Sequence, residues 1–171
     1  LMDKFLKKEQ NDRAYFYRGR AKQDLGDEKG ALADFNKAID INPNLDFYFY
    51  ARANAKLELN DKTGAIEDYK RSFELNPNNV NGLGNFGLTL YKLGRYKEAI
   101  EIFDKALEVD SKHSNNYRMR GNIKYELKDY EDAIQDFNKA LDIPSKTADK
   151  KALRTGVHAD AYYDRAWAKF D

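Results

Sequence analysis

Along the chain, apolar and small residues return at spacings of three and four, and the whole pattern returns every 34 residues. In the stretch DRAYFYRGRAKQDLGDEKGALADFNKAIDINPN, a first run at helical spacing passes through Tyr15, Gly19, the stem of Lys22 and Leu25. Leu25-Gly26-Asp27 then supplies a stop, with glycine at the expected left-handed turn position. A second run places Ala31, Leu32, Phe35, Ala38 and Ile39 on one face. Asn42-Pro43-Asn44 ends it, because proline cannot continue a helix and biases the residue before it to extended geometry. Each unit is therefore predicted to be two antiparallel helices. Each buries one face only, so a unit needs a neighbour to complete its core.

Laid in register, four full copies span residues 12–45, 46–79, 80–113 and 114–147, after a flanking segment over 1–11. An insertion over 148–158 precedes residues 159–171, read as the first helix of a truncated fifth repeat or a capping helix. The expected class is all-α: four full repeats plus one extra helix. Gly19, Ala53, Gly87 and Gly121 share one repeat position, and Ala31, Ala65, Ala99 and Ala133 another. Ala38, Ser72, Ala106 and Ala140 share a third. Small side chains here let two helices approach closely. Phe35, Tyr69, Phe103 and Phe137 are expected to fill the next layer, and Leu25, Leu59, Leu93 and Leu127 to close the end of each first helix.

The period, the small-residue positions and the terminal proline together resemble the tetratricopeptide repeat family. The resemblance covers four units and a helix, and implies a right-handed superhelical solenoid whose first helices line a concave groove for peptides or partner helices. Ser111 stands where the third unit would have its proline, and Pro144 comes one residue early; the spacing from Pro144 to Ala159 is too long for the repeat, so a looser turn or extra helix around Ala148 to Arg154 is expected. Carried over position by position, the groove would be lined by Arg13, Phe16, Tyr17 and Arg20, then by Phe47, Tyr50 and Asn54. Asn81, Asn85, Arg118 and Asn122 would continue it. Phe16, Tyr17, Phe47 and Tyr50 make its N-terminal half aromatic, read either as a binding patch or as packing between successive units. The family's clamp for a C-terminal carboxylate is not expected: Arg118 and Asn122 have the spacing, but Asp164 stands where the next asparagine should be. Gly84 is a groove-facing glycine, read as room for a ligand backbone or as drift.

Comparing the copies exposes a covariation. Arg18, Arg52 and Arg120 are followed sixteen positions later by Asp34, Asp68 and Asp136, with Lys22, Lys56 and Lys124 one turn after each arginine. The third unit has Phe86, Leu90 and Ile102 instead. Arg and Asp are therefore expected to pair within a unit as a bidentate fork, rather than to act as ligand hooks.

Composition narrows the function. Lys and Arg number 30 against 29 Asp and Glu, a net charge of +1 that gives no pull toward nucleic acid or anionic membrane. With no cysteine there is no disulfide or thiolate site, and no apolar run reaches the ~18 residues a membrane helix needs. His113 and His158 form no metal or catalytic motif, and no cofactor is expected. The expected function is a non-catalytic adaptor for a protein or peptide. The alternative is self-association through the groove or the last helix, where Tyr163, Trp167 and Phe170 lack the cover of a second helix. A cytoplasmic location is expected, with the periplasm left open should a signal precede the segment.

Overall fold

The computed structural model describes the backbone of residues 2–144 and the side chains of residues 12–144. These form eight helices and no strand: α1 (Met2–Asp24), α2 (Glu28–Ile41), α3 (Asp46–Glu58), α4 (Lys62–Leu75), α5 (Val80–Lys92), α6 (Tyr96–Val109), α7 (Ser114–Glu126) and α8 (Tyr130–Asp142). The chain divides into two compact units, Leu1–Gly82 and Leu83–Asp171. In the first, α1 packs on α2, α2 on α3 and α3 on α4; in the second, α6 packs on α7 and α7 on α8. The expected all-α array of helix pairs is what forms. α1 differs at its start, running unbroken from Met2 through the segment set apart as flanking. No glycine or proline interrupts 1–18, so nothing there stops a helix that the repeat nucleates. The expected insertion and final helix lie outside the described residues.

The predicted small-on-large contacts position each pair. An added Cβ at Gly19 would sit 2.7 Å from Phe35, at Gly87 2.9 Å from Phe103, and at Gly121 2.6 Å from Phe137. Ala53 takes the same place opposite Tyr69, and both are buried. Each buried ring contributes about 1.5–3 kcal/mol, which outweighs the ~1 kcal/mol that a mid-helix glycine costs.

The stops are alike in backbone and unlike in sequence. Gly26, Asn60, Gly94 and Lys128 all have left-handed φ, between 63° and 79°. The first helix ends on two reverse bonds, Gly26 N–H to Gln23 C=O and Asp27 N–H to Lys22 C=O, both 2.9 Å, which satisfy otherwise orphaned carbonyls. Asp27 and Asp61 then cap α2 and α4 by accepting from the Gly30 and Gly64 amides at 3.0 and 2.9 Å. At α6 the cap residue is Arg95, which instead forks onto Glu98 at 2.6 Å. The leucine closure is not uniform. Leu25 is 86% exposed and Leu127 45%, because the reverse bonds already finish the helix without a buried side chain there.

Candidate functional site

Three repeats carry the ionic arrangement expected from the covariation. Arg18 donates through Nε and Nη2 to Asp34 at 2.8 and 2.6 Å, and Arg52 to Asp68 at 2.8 and 2.7 Å. Arg120 forks onto Asp136 in the same way, Nε at 2.8 Å. The lysine one turn on closes a triad: Lys22, Lys56 and Lys124 reach the same aspartates at 2.9, 2.8 and 2.9 Å. Each arginine also lies over the ring three residues before it, Tyr15, Phe49 or Tyr117, at 5.2 to 5.5 Å. The aspartates are almost wholly buried, yet each is doubly paired. The Arg18 fork holds the Asp34 carboxyl down at about 2 against the opposing effect of burial, and raises Arg18 in return. Pairing with Asp136 likewise raises Arg120. These arginines are occupied by the fold.

A link the sequence comparison missed runs between repeats. The second amino group of Arg52 donates back to Asn36 at 2.8 Å, and that of Arg120 to Asp104 at 2.5 Å. A second missed element is a staple within the first unit: Asn42 donates to Asp12 at 3.0 Å, and Asn76 to Asp46 at 3.1 Å. Its signal, an Asp and an Asn thirty positions apart, is present in only two repeats, where Val80 and Ser114 replace Asp in the others.

The expected groove residues fall on the first helices, but not all at the surface. In the first unit Arg13, Tyr17 and Arg20 are exposed on α1, and Tyr17 is 68% exposed. Phe47, on α3, is 38% exposed. Phe16 is core: at 7% exposure it lies 5.8 Å from Phe35 and 5.0 Å from both Phe47 and Tyr48. Tyr17 packs on it in a T-shaped contact, 5.4 Å between ring centroids. The exposed pair Tyr17 and Phe47 thus stands on a ring anchored in the interior. Beneath them, burial and the neighbouring Asp12 carboxylate push the Tyr48 hydroxyl well above its ordinary range, with Arg13 acting in the opposite sense.

The other positions divide. Tyr50 is half-buried over Tyr69 at 6.0 Å, and Asn54 accepts the Tyr69 hydroxyl at 2.5 Å, so its carbonyl serves the fold. Asn81 is exposed on the first turn of α5. In the second unit Asn85 is exposed, Asn122 is half-buried, and half-buried Arg118 donates to Asn115 at 3.1 Å. Gly84 has a structural partner: an added Cβ would sit 3.1 Å from the Asn116 carbonyl oxygen. Asn116 is fully buried, and neither end of its amide finds a protein partner. Tyr163, Trp167 and Phe170 lie outside the described residues, as does Asp164.

Tetratricopeptide repeat models match residues 12–45, 48–79 and 80–146, which together cover most of the chain. The chain belongs to the tetratricopeptide repeat (TPR) family. Among curated proteins, none matches it by sequence. Solved structures do resemble it. YrrB, described as a TPR protein with an unusual peptide-binding site, is 23% identical with a TM-score of 0.74, over 91% of this chain and 74% of its own. MamA from Desulfovibrio magneticus RS-1 is 18% identical with a TM-score of 0.72, over 94% of each chain. The first TPR domain of Spaghetti (RPAP3), bound to the HSP90 peptide SRMEEVD, is 19% identical with a TM-score of 0.64, over 69% of this chain and 96% of its own. These likenesses show the fold. Family membership makes the chain a protein-interaction scaffold. No helix among the described residues is long and apolar enough to cross a membrane.

Proposed function

We propose that this TPR chain is a non-catalytic scaffold that binds a peptide or partner helix along the face of its first helices. The observation that carries the reading is the pair Tyr17 and Phe47, exposed side chains held by edge contacts to buried Phe16. Exposed aromatics fixed by an interior ring lose little freedom on binding and bury large area, which is the profile of a binding hot spot. The peptide-binding site described for YrrB and the peptide bound to the RPAP3 domain support the same use of this fold.

An array of immobilised twelve-residue peptides tests the reading. The wild type should bind a subset. Tyr17→Ala with Phe47→Ala should lose that subset at some cost in melting temperature, because Phe47 also covers Phe16. Tyr17→Ala alone should weaken the same peptides with the melting temperature close to the parent. Retention of all bound peptides by the double variant would remove the reading.

A further inference from the structure

Of the eight arginines among the described residues, six are engaged by other side chains. Arg18, Arg52 and Arg120 hold aspartates. Arg71 and Arg95 hold Glu74 and Glu98, and Arg118 holds Asn115. Arg13 and Arg20 are both exposed, and no described carboxylate pairs with either. They share one stripe of α1 with Tyr17, at spacings of four and three residues, so all three side chains leave the same face.

The aspartates closest to this stripe in sequence do not offset it. Asp12 is buried and tied to Asn42, and Asp46 is tied to Asn76. Asp24, one turn beyond Arg20, forms no ion pair with it and lies at the far end of the helix. The stretch from Arg13 to Arg20 thus carries two exposed cations that no described carboxylate pairs, bracketing an exposed aromatic, in a chain whose net charge is only +1.

We propose that the occupant of this first-unit face is an acidic peptide segment. It would place a bulky apolar side chain against Tyr17 and Phe47, with carboxylates reaching Arg13 and Arg20. The inference rests on the groove reading above and specifies its ligand. Complementary charge sets the pairing and the rate of encounter, while the aromatic contact supplies the desolvated centre. A single-stranded nucleic acid would share the negative charge, but its backbone is held along a continuous basic track. This face offers Arg13 and Arg20 rather than such a track, and the net charge of the chain is +1.

The test is a selection from a random twelve-residue peptide library displayed on phage, using the whole chain as bait. The selected sequences are then synthesised and titrated, and a labelled dT oligonucleotide runs in parallel. The result expected is enrichment of Asp and Glu around Leu, Phe or Trp, with binding that weakens as salt rises. Arg13→Glu with Arg20→Glu should then weaken the selected peptides about tenfold or more, Arg→Lys at both sites should largely retain them, and the melting temperature should not move. Peptides that need Phe47 but show no acidic enrichment, or that bind the Glu variant within about twofold, would overturn this proposal and leave the groove reading standing. Peptides indifferent to Tyr17→Ala and Phe47→Ala, or none selected at all, would overturn both. Tighter binding of the dT oligonucleotide through the same arginines would replace the peptide with nucleic acid.

Discussion

The second and third repeats solve one packing problem with opposite chemistry. In the second, Phe49, Arg52, Lys56 and Asp68 form a ring-stacked ionic triad between its two helices. In the third, the same positions hold Leu83, Phe86, Leu90 and Ile102, all buried. The helices still pair, so the fold needs a filled, mutually satisfied site at these positions and not a particular kind of interaction. The two solutions differ in how they fail. An apolar contact shortened by one group leaves a cavity, whereas a triad stripped of its carboxylate leaves two desolvated cations.

The largest effect should come from removing that carboxylate. Asp68→Ala is expected to cost about 3–5 kcal/mol in guanidinium unfolding, because Arg52 and Lys56 are each less than one-fifth exposed. Exchanging the whole set, with Arg52→Phe, Lys56→Leu and Asp68→Ile, should instead be neutral or stabilising by up to about 4 kcal/mol. A triple variant as unstable as Asp68→Ala would show that the two solutions are not interchangeable.

Acid should separate the repeats next. The Asp34 carboxyl is depressed to about 2 by Arg18, so its contribution is fully present above the unfolded carboxylate range near ~4 and is lost as pH falls toward about 2. Hydrogen exchange between pH 5 and 2 should therefore show α1 and α2 losing protection before α5 and α6, which lack the triad. Asp34→Asn should remove much of that acid sensitivity.

A smaller test concerns a polar group left without compensation. Asn116→Ala is expected to stabilise by about 1 kcal/mol, since its buried amide has no protein partner. Gly84→Ala should then be tolerated in that background and resisted in the wild type, a coupling that a double-mutant cycle of melting curves would read. The smallest change is at the turns. Lys128 occupies the left-handed position that Gly26 and Gly94 fill elsewhere, and Lys128→Gly should gain up to about 1 kcal/mol in the same melts.

The triads are legible in the amino-acid sequence because one copy dispenses with them. Arg18, Arg52 and Arg120 vary in step with their aspartates, and only the third repeat breaks the series. The staple of Asp12 and Asn42 offers a similar contrast, with Val80 and Asp110 or Ser114 and Pro144 in the other repeats, but its asparagine sits beside Pro43 and reads first as a helix stop. Phe16 departs from its expected place for a different reason. The resemblance puts its repeat position on the expected groove, but here Phe35 on one side and Phe47 with Tyr48 on the other enclose it.

Periodicity is enough to dictate the helix pairs, their stops and their small-on-large contacts, because these depend on residues close together in one repeat. Exposure depends on which side chains neighbouring helices bring to the same point. Only the packed structure shows Tyr17 and Phe47 standing clear above a buried Phe16 while six of the eight described arginines are taken up by neighbouring side chains, with Arg13 and Arg20 exposed beside the aromatic face.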